Sequence, residues 1–159
     1  MIPQFLSGPA GRIAYRHQPG EGPGVLFLPG FRSDMTGSKA AAVAEWCAAQ
    51  GIACTLLDYR AHGQSEGDFR EYTIGGGLED TLAILDAITT GPQILIGSSM
   101  GGWISLLAAR ERRERVAAII GIAAAPDFTE RGIWTKMTEE QRTRMEEEGE
   151  VREPSEYWG

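Results

Sequence analysis

Apolar positions gather in short unbroken runs separated by longer stretches with helical spacing. Val25–Leu28, Ile52–Leu57, Gln93–Ile96 and Val116–Ile122 are such runs. An apolar run without polar alternation predicts a strand covered on both faces. Pro29-Gly30 ends the first of them. Between the runs, Lys39–Gln50 (KAAAVAEWCAAQ) is strongly helical in composition, with Gly51 placed as a C-cap. Leu78–Ile88 sets Leu78, Leu82, Leu85 and Ile88 on one side of a helix, and Met100–Glu111 is a third helical stretch. Upstream, Gln4–Ser7 and Arg12–Arg16 read as short extended runs joined by Ser7-Gly8-Pro9-Ala10-Gly11, a β-hairpin. His17–Gly24 (HQPGEGPG) reads as a Gly/Pro loop, and Asp58–Phe69 as a polar loop rich in glycine.

The order is a hairpin followed by β-α-β-α-β-α-β. It predicts an α/β fold with a mostly parallel sheet, helices on both faces and right-handed crossovers. After Ala125 the character changes. Thr138–Glu150 is polar nearly all round, which predicts a solvated helix or a lid-like excursion. The expected organisation is therefore a core over residues 1–125 and the start of a lid or cap over 126–159. Trp134, Met137, Tyr157 and Trp158 would line an apolar pocket there, or simply pack.

Composition narrows the function classes. The chain has 159 residues, 42% apolar and 23% charged, which fits one globular domain or most of one at roughly 100–200 residues each. A net charge of −7 repels phosphate backbones and argues against nucleic-acid binding. The two cysteines, Cys47 and Cys54, lie in helical and strand-like apolar contexts and read as small buried hydrophobes. No stretch approaches the ~20 apolar residues that span a bilayer, so stable membrane insertion is not expected. Met1–Gly11 lacks a basic start and an apolar core, and a reducing, cytoplasmic setting is expected. Gly75-Gly76-Gly77 follows no strand and matches no phosphate-binding spacing. The two histidines, His17 and His62, stand far apart, with no carboxylate–histidine cluster for a metal. No cofactor is expected.

One pentapeptide carries chemistry. Gly97-Ser98-Ser99-Met100-Gly101 fits G-x-S-x-G about Ser99; Ser98 fails, with Ile96 and Met100 at its own ±2 positions. A serine on a tight strand-to-helix turn is exposed above the sheet, and bulk two residues away would collide across the turn. The context agrees, with QILI before it and MGGWISLLAAR after it. The helix start offers free N–H groups and positive potential to a developing oxyanion. The plain alternative is a serine that caps this helix. Pro29-Gly30-Phe31-Arg32 follows the first buried run, where a second oxyanion donor belongs. By position, the Phe31 and Met100 N–H groups make the pair.

Asp58-Tyr59-Arg60-Ala61-His62-Gly63-Gln64-Ser65 resembles a D-x-R-x-H-G-x-S loop common in α/β-hydrolases, where the histidine is usually structural. The three landmarks together resemble the α/β-hydrolase superfamily. LPGFRSDMTGSKA, DYRAHGQSEG, GSSMGGWISLLAARERRERVAAIIGIAAAPDFTE and PSEYWG are similar to its palmitoyl-protein thioesterase and acyl-glucuronide esterase group, roughly from Leu28 to Tyr157. The resemblance implies Ser99 as nucleophile, Phe31 and Met100 as oxyanion donors, and cofactor-free hydrolysis of acyl esters or thioesters. The partner implied is a small-molecule or lipid-modified acyl substrate; the oligomeric state is left open.

The sequence departs from that family in its base. The superfamily order is Ser, acid, His, yet both histidines here precede Ser99. Asp127 follows the last apolar run and is one acid to consider; a turn or capping role competes. The expectation is an N-terminal two-thirds of a hydrolase that lacks the last strands and ends within the lid. It would leave Val116–Ile122 as an apolar sheet edge, prone to poor stability or self-association. The competing reading is an inert hydrolase-like fragment or ligand-binding pseudo-enzyme.

Overall fold

A computed structural model describes residues 2–151. The strands are β1 (Gln4–Gly8), β2 (Gly11–Gln18), β3 (Glu21–Leu28), β4 (Ile52–Leu57), β5 (Gln93–Ser98) and β6 (Val116–Ile122). They form one sheet in the order β1-β2-β4-β3-β5-β6. β1 and β2 make the expected hairpin, in register from Gln4↔Tyr15 to Gly8↔Gly11. β2 then runs antiparallel to β4, and the remaining neighbours are parallel. All four parallel strands therefore end at one rim of the sheet. The helices are α1 (Ser38–Gln50), α2 (Ile74–Ala87), α3 (Met100–Glu111) and α4 (Glu139–Glu148).

Strand alternation divides the core. Val25 and Phe27 of β3, with Cys54 and Leu56 of β4, pack against Ala40 and Cys47 of α1. The residues between them, Leu26, Leu28 and Leu57, are also buried and point to the opposite face. There α3 packs on β3, β5 and β6, and α2 packs on α3. Gly51 closes α1 in the left-handed conformation, φ 70°, and its N–H donates to Ala48 O and Cys47 O.

Two regions differ from expectation. His17–Gly24 is strand except for Pro19-Gly20, because β4 and β5 supply ladder partners that turn-forming residues do not advertise. Glu21 N–H donates to Gly51 O at 2.8 Å, and Gly24 pairs with Gln93. Gly20 lies so close to β4 that a Cβ would stand 2.5 Å from Ala53 N. α2 starts four residues before the spacing predicts, and Thr73 accepts the Gly76 N–H at 3.0 Å as its N-cap. Three consecutive glycines conceal that start, since glycine is a poor helix former. The buried side of α2 also includes Asp80, which periodicity assigns to solvent.

Contacts divide the chain into two units, one running to Pro126 and one beginning at Asp127. In the second, Phe128–Ile133 forms a π-turn and Trp134–Lys136 a 3-10 turn. α4 follows, opened by a capping box between Thr138 and Gln141. α4 buries no residue, as its composition predicts. The Arg142 guanidinium stands 5.7 Å from the Trp134 ring centre and donates to Trp134 O at 3.1 Å. Tyr157 and Trp158 lie outside the described residues.

Candidate active site

Ser99 stands exposed at the rim where the parallel strands end, between β5 and α3. Its backbone has φ 51° and ψ −115°, a region L-residues rarely occupy. Three bonds hold it: Ser99 N–H donates to Ile122 O at 3.0 Å, and Gly102 and Ala125 N–H donate to Ser99 O at 2.9 and 3.1 Å. The flanking glycines are sterically required. A Cβ on Gly97 would stand 2.4 Å from Gly101 O, one on Gly101 2.0 Å from Leu28 O, and one on Gly102 2.4 Å from Ala124 Cβ. The Ser99 side chain makes no cap bond to α3, so the plain capping alternative fails. Met100 is the first residue of α3, where an N–H has no intrahelical acceptor.

The loop after β3 comes to the same place. Gly30 faces the elbow, and a Cβ on it would lie 3.5 Å from Ser99 Cβ. Phe31 follows, 40% exposed. A cavity of about 110 Å³ lies alongside, lined by Gly30, Ser33, Asp34, Lys39 and Ser98 among others. The two bonds that Asp34 accepts from the Thr36 hydroxyl and amide hold its carboxyl below the usual range.

Asp58 connects this loop to the next. It is buried at the end of β4 and accepts N–H bonds from Met35 at 2.7 Å and Gln64 at 2.9 Å. Burial pushes its carboxyl up, and the two N–H bonds oppose the shift. Ser65 Oγ donates to Asp58 O and accepts from Ala14 N–H, fixing the loop to β2. Gly63, at φ 51°, leaves room for the Asp58 carboxylate, which a Cβ would meet at 2.2 Å. Arg60 pairs with the buried Asp80 at 2.8 Å and with Glu79 at 2.8 Å. Gly76 of α2 makes space for that guanidinium, since a Cβ would stand 3.1 Å from Arg60 Cζ.

His62 is 4% exposed and its Nδ1 pairs with Arg60 O at 3.0 Å. Its ring lies among those of Phe31, Tyr59, Phe69 and Tyr72, at centroid distances of 4.7–6.2 Å. His17 faces Thr55 Oγ1 at 2.9 Å, on β2. Among the described residues, neither histidine is hydrogen-bonded to Ser99. Asp127 has φ 53°, and its carbonyl, rather than its carboxylate, accepts the Arg131 N–H at the π-turn.

Motif and order single out Phe31, Ser99 and Met100 as the expected site residues, and in the structure Gly30, which precedes Phe31, lies beside Ser99. Sequence reasoning missed Phe69, Tyr72 and Asp80. Gly77 is the one local sign of Tyr72, whose hydroxyl takes the room of a side chain there, and Gly76 makes room for Arg60, the partner of Asp80.

Comparison with known proteins bears on the family and the fold. The family model for serine aminopeptidase S33 matches residues 24–146. The mitochondrial palmitoyl-protein thioesterase ABHD10 of rat is 43% identical over 148 residues, 91% of this chain and 48% of the relative. The human protein of that name is 46% identical over 124 residues, 77% of this chain and 40% of the relative. The chain thus spans about half the length of these curated relatives. Mouse alpha/beta hydrolase domain-containing protein 10 superposes with a TM-score of 0.90 at 41% identity, covering 99% of this chain and 63% of that one. An Agrobacterium vitis S4 protein described as a hydrolase gives 0.88 at 35%, covering 98% and 65%. The curated relatives are mitochondrial by name, which overturns the cytoplasmic expectation drawn from the N-terminal composition. By motif, topology and similarity, the chain belongs to the serine aminopeptidase S33 family of α/β-hydrolases.

Proposed function

We propose that this chain carries the nucleophile half of an acyl-ester or acyl-thioester hydrolase. The observation that carries the reading is the strained, exposed Ser99 at the strand-to-helix turn, with glycines at the positions where a Cβ would collide. Ser99 Oγ gives its proton to a base, which later passes it to the leaving group, and attacks the acyl carbonyl carbon while the carbonyl π-electrons move to oxygen. The Phe31 and Met100 N–H groups receive that oxyanion; one such donor contributes about 3 kcal/mol of transition-state stabilisation. Collapse breaks the C–S or C–O bond, the thiol or alcohol leaves with a proton, and water releases the acid from the acyl-serine. The palmitoyl-protein thioesterase relatives support a lipid-modified acyl substrate. We further propose that residues 126–159 form the start of a lid or cap segment.

A second reading has its own support. Ser99 needs a base to take its proton, and His17 and His62 are engaged with Thr55 and Arg60. An inert or ligand-binding role for this chain follows if no base reaches Oγ. A fluorophosphonate probe separates the two, because it phosphonylates an activated serine. Covalent labelling that disappears in Ser99→Ala is expected. A native chain that takes up no label establishes the inert reading for these 159 residues.

A further inference from the structure

Tyr72 lies between the short turn Phe69–Glu71 and the N-cap of α2. Its ring stacks on Phe69, 7° from parallel at 6.2 Å, and stands 6.4 Å from the Phe31 ring. It also meets His62 edge-on at 4.7 Å. At the far end of the ring, the hydroxyl donates to Met100 Sδ at 3.5 Å. The hydroxyl fits there because residue 77 is glycine; a Cβ would stand 2.4 Å from it. One side chain thus touches the two residues whose N–H groups are assigned to the oxyanion. Those residues follow different strands, Phe31 after β3 and Met100 after β5.

We propose that Tyr72 is a positioning residue that ties the Phe31 loop to the start of α3 and so sets the spacing of the two oxyanion donors. The inference rests on the reading of Phe31 and Met100 as those donors. A thioether is a weak acceptor, so the bond contributes little energy; its effect is geometric. Met100 is 1% exposed, and its side chain has little freedom to move once the hydroxyl is seated. The ring does the same for Phe31, whose own side chain is only half covered. Burial pushes the Tyr72 hydroxyl upward, so it remains a proton donor at neutral pH. The Gly75-Gly76-Gly77 run takes its meaning from these contacts: Gly76 admits Arg60 and Gly77 admits Tyr72.

The test compares Tyr72→Phe, Tyr72→Leu and Gly77→Ala with the native chain. Two readouts are taken on folded protein: ¹H–¹⁵N shifts of the Phe31 and Met100 amides, with β5 amides as control, and the rate of Ser99 labelling by a fluorophosphonate. Tyr72→Leu is expected to move both amides and slow labelling on the order of tenfold, a fraction of the loss for one whole donor. Tyr72→Phe keeps the ring, so it should move Met100 alone and recover most of the rate. Gly77→Ala displaces the hydroxyl and should move Met100 even where Tyr72→Leu does not fold. A residue that merely fills space would lower the denaturation midpoint while leaving both amides and the rate unchanged; that result overturns the proposal. A native chain that takes no label overturns the reading of an active hydrolase for these 159 residues, and the amide shifts still decide whether Tyr72 links the two segments.

Discussion

Ser99 pays for its exposed position with backbone strain, of order 1–3 kcal/mol for such a conformation. The three backbone bonds around it, to Ile122, Gly102 and Ala125, keep the strain in place. The glycines are what let those bonds form, and their costs of substitution differ for a physical reason. Gly101→Ala puts a methyl 2.0 Å from the Leu28 carbonyl, and backbone cannot swing aside as a side chain can. The expected loss is about 3 kcal/mol or more. Gly51→Ala meets nothing within 4 Å and costs only its positive φ, about 1 kcal/mol. Urea denaturation of the two variants checks this; equal midpoints would contradict the steric account.

β6 shows how an element inherits its behaviour from its neighbours. It pairs with β5 along its length, from Gln93↔Val116 to Ser98↔Ile122, and ends the sheet among the described residues. Its seven residues, VAAIIGI, carry no charge, and Ile120 is 49% exposed. An uncharged apolar strand with one free side is a template for a second chain. Ile120→Lys is expected to reduce self-association of the 159-residue chain, as measured by sedimentation. A native chain that sediments as a monomer at the same concentration would remove the premise. The loops obey a different logic. Asp58, Arg60, Gly63 and Ser65 of the D-x-R-x-H-G-x-S loop each have a bond or a steric reason. The residue types were legible in the chain. Their partners, Met35, Asp80 and Ala14, lie 20 or more residues away, and no local pattern names them.

For the molecule as a whole, burial of acidic groups sets an alkaline limit on stability. Burial, reinforced by the neighbouring Cys47 thiol, pushes the Cys54 thiol from its ordinary 9.0 up to about 12. Burial likewise raises the Tyr59 and Tyr72 hydroxyls above their ordinary 10.0. The unfolded chain loses these protons first, so the folded state binds more protons above about pH 9. Stability is therefore whole below that range and falls as pH rises through it. Denaturation midpoints between pH 8 and 11 should decline, with a smaller slope in Cys54→Ala. A midpoint that stays level or climbs would refute the assignment.

The chain by itself determined the alternation of strands and helices, the elbow at Ser99 and the family. Each of these is written in local periodicity, in apolar runs, or in a five-residue motif whose sterics act within one turn. Only the tertiary structure decided that β2 joins the sheet beside β4, that His17–Gly24 is largely strand, and that Asp80 turns inward to Arg60. It alone brought Tyr72 between Phe31 and Met100. These outcomes depend on partners far along the chain. A glycine without a side chain records only that something must come close, and the fold supplies what comes.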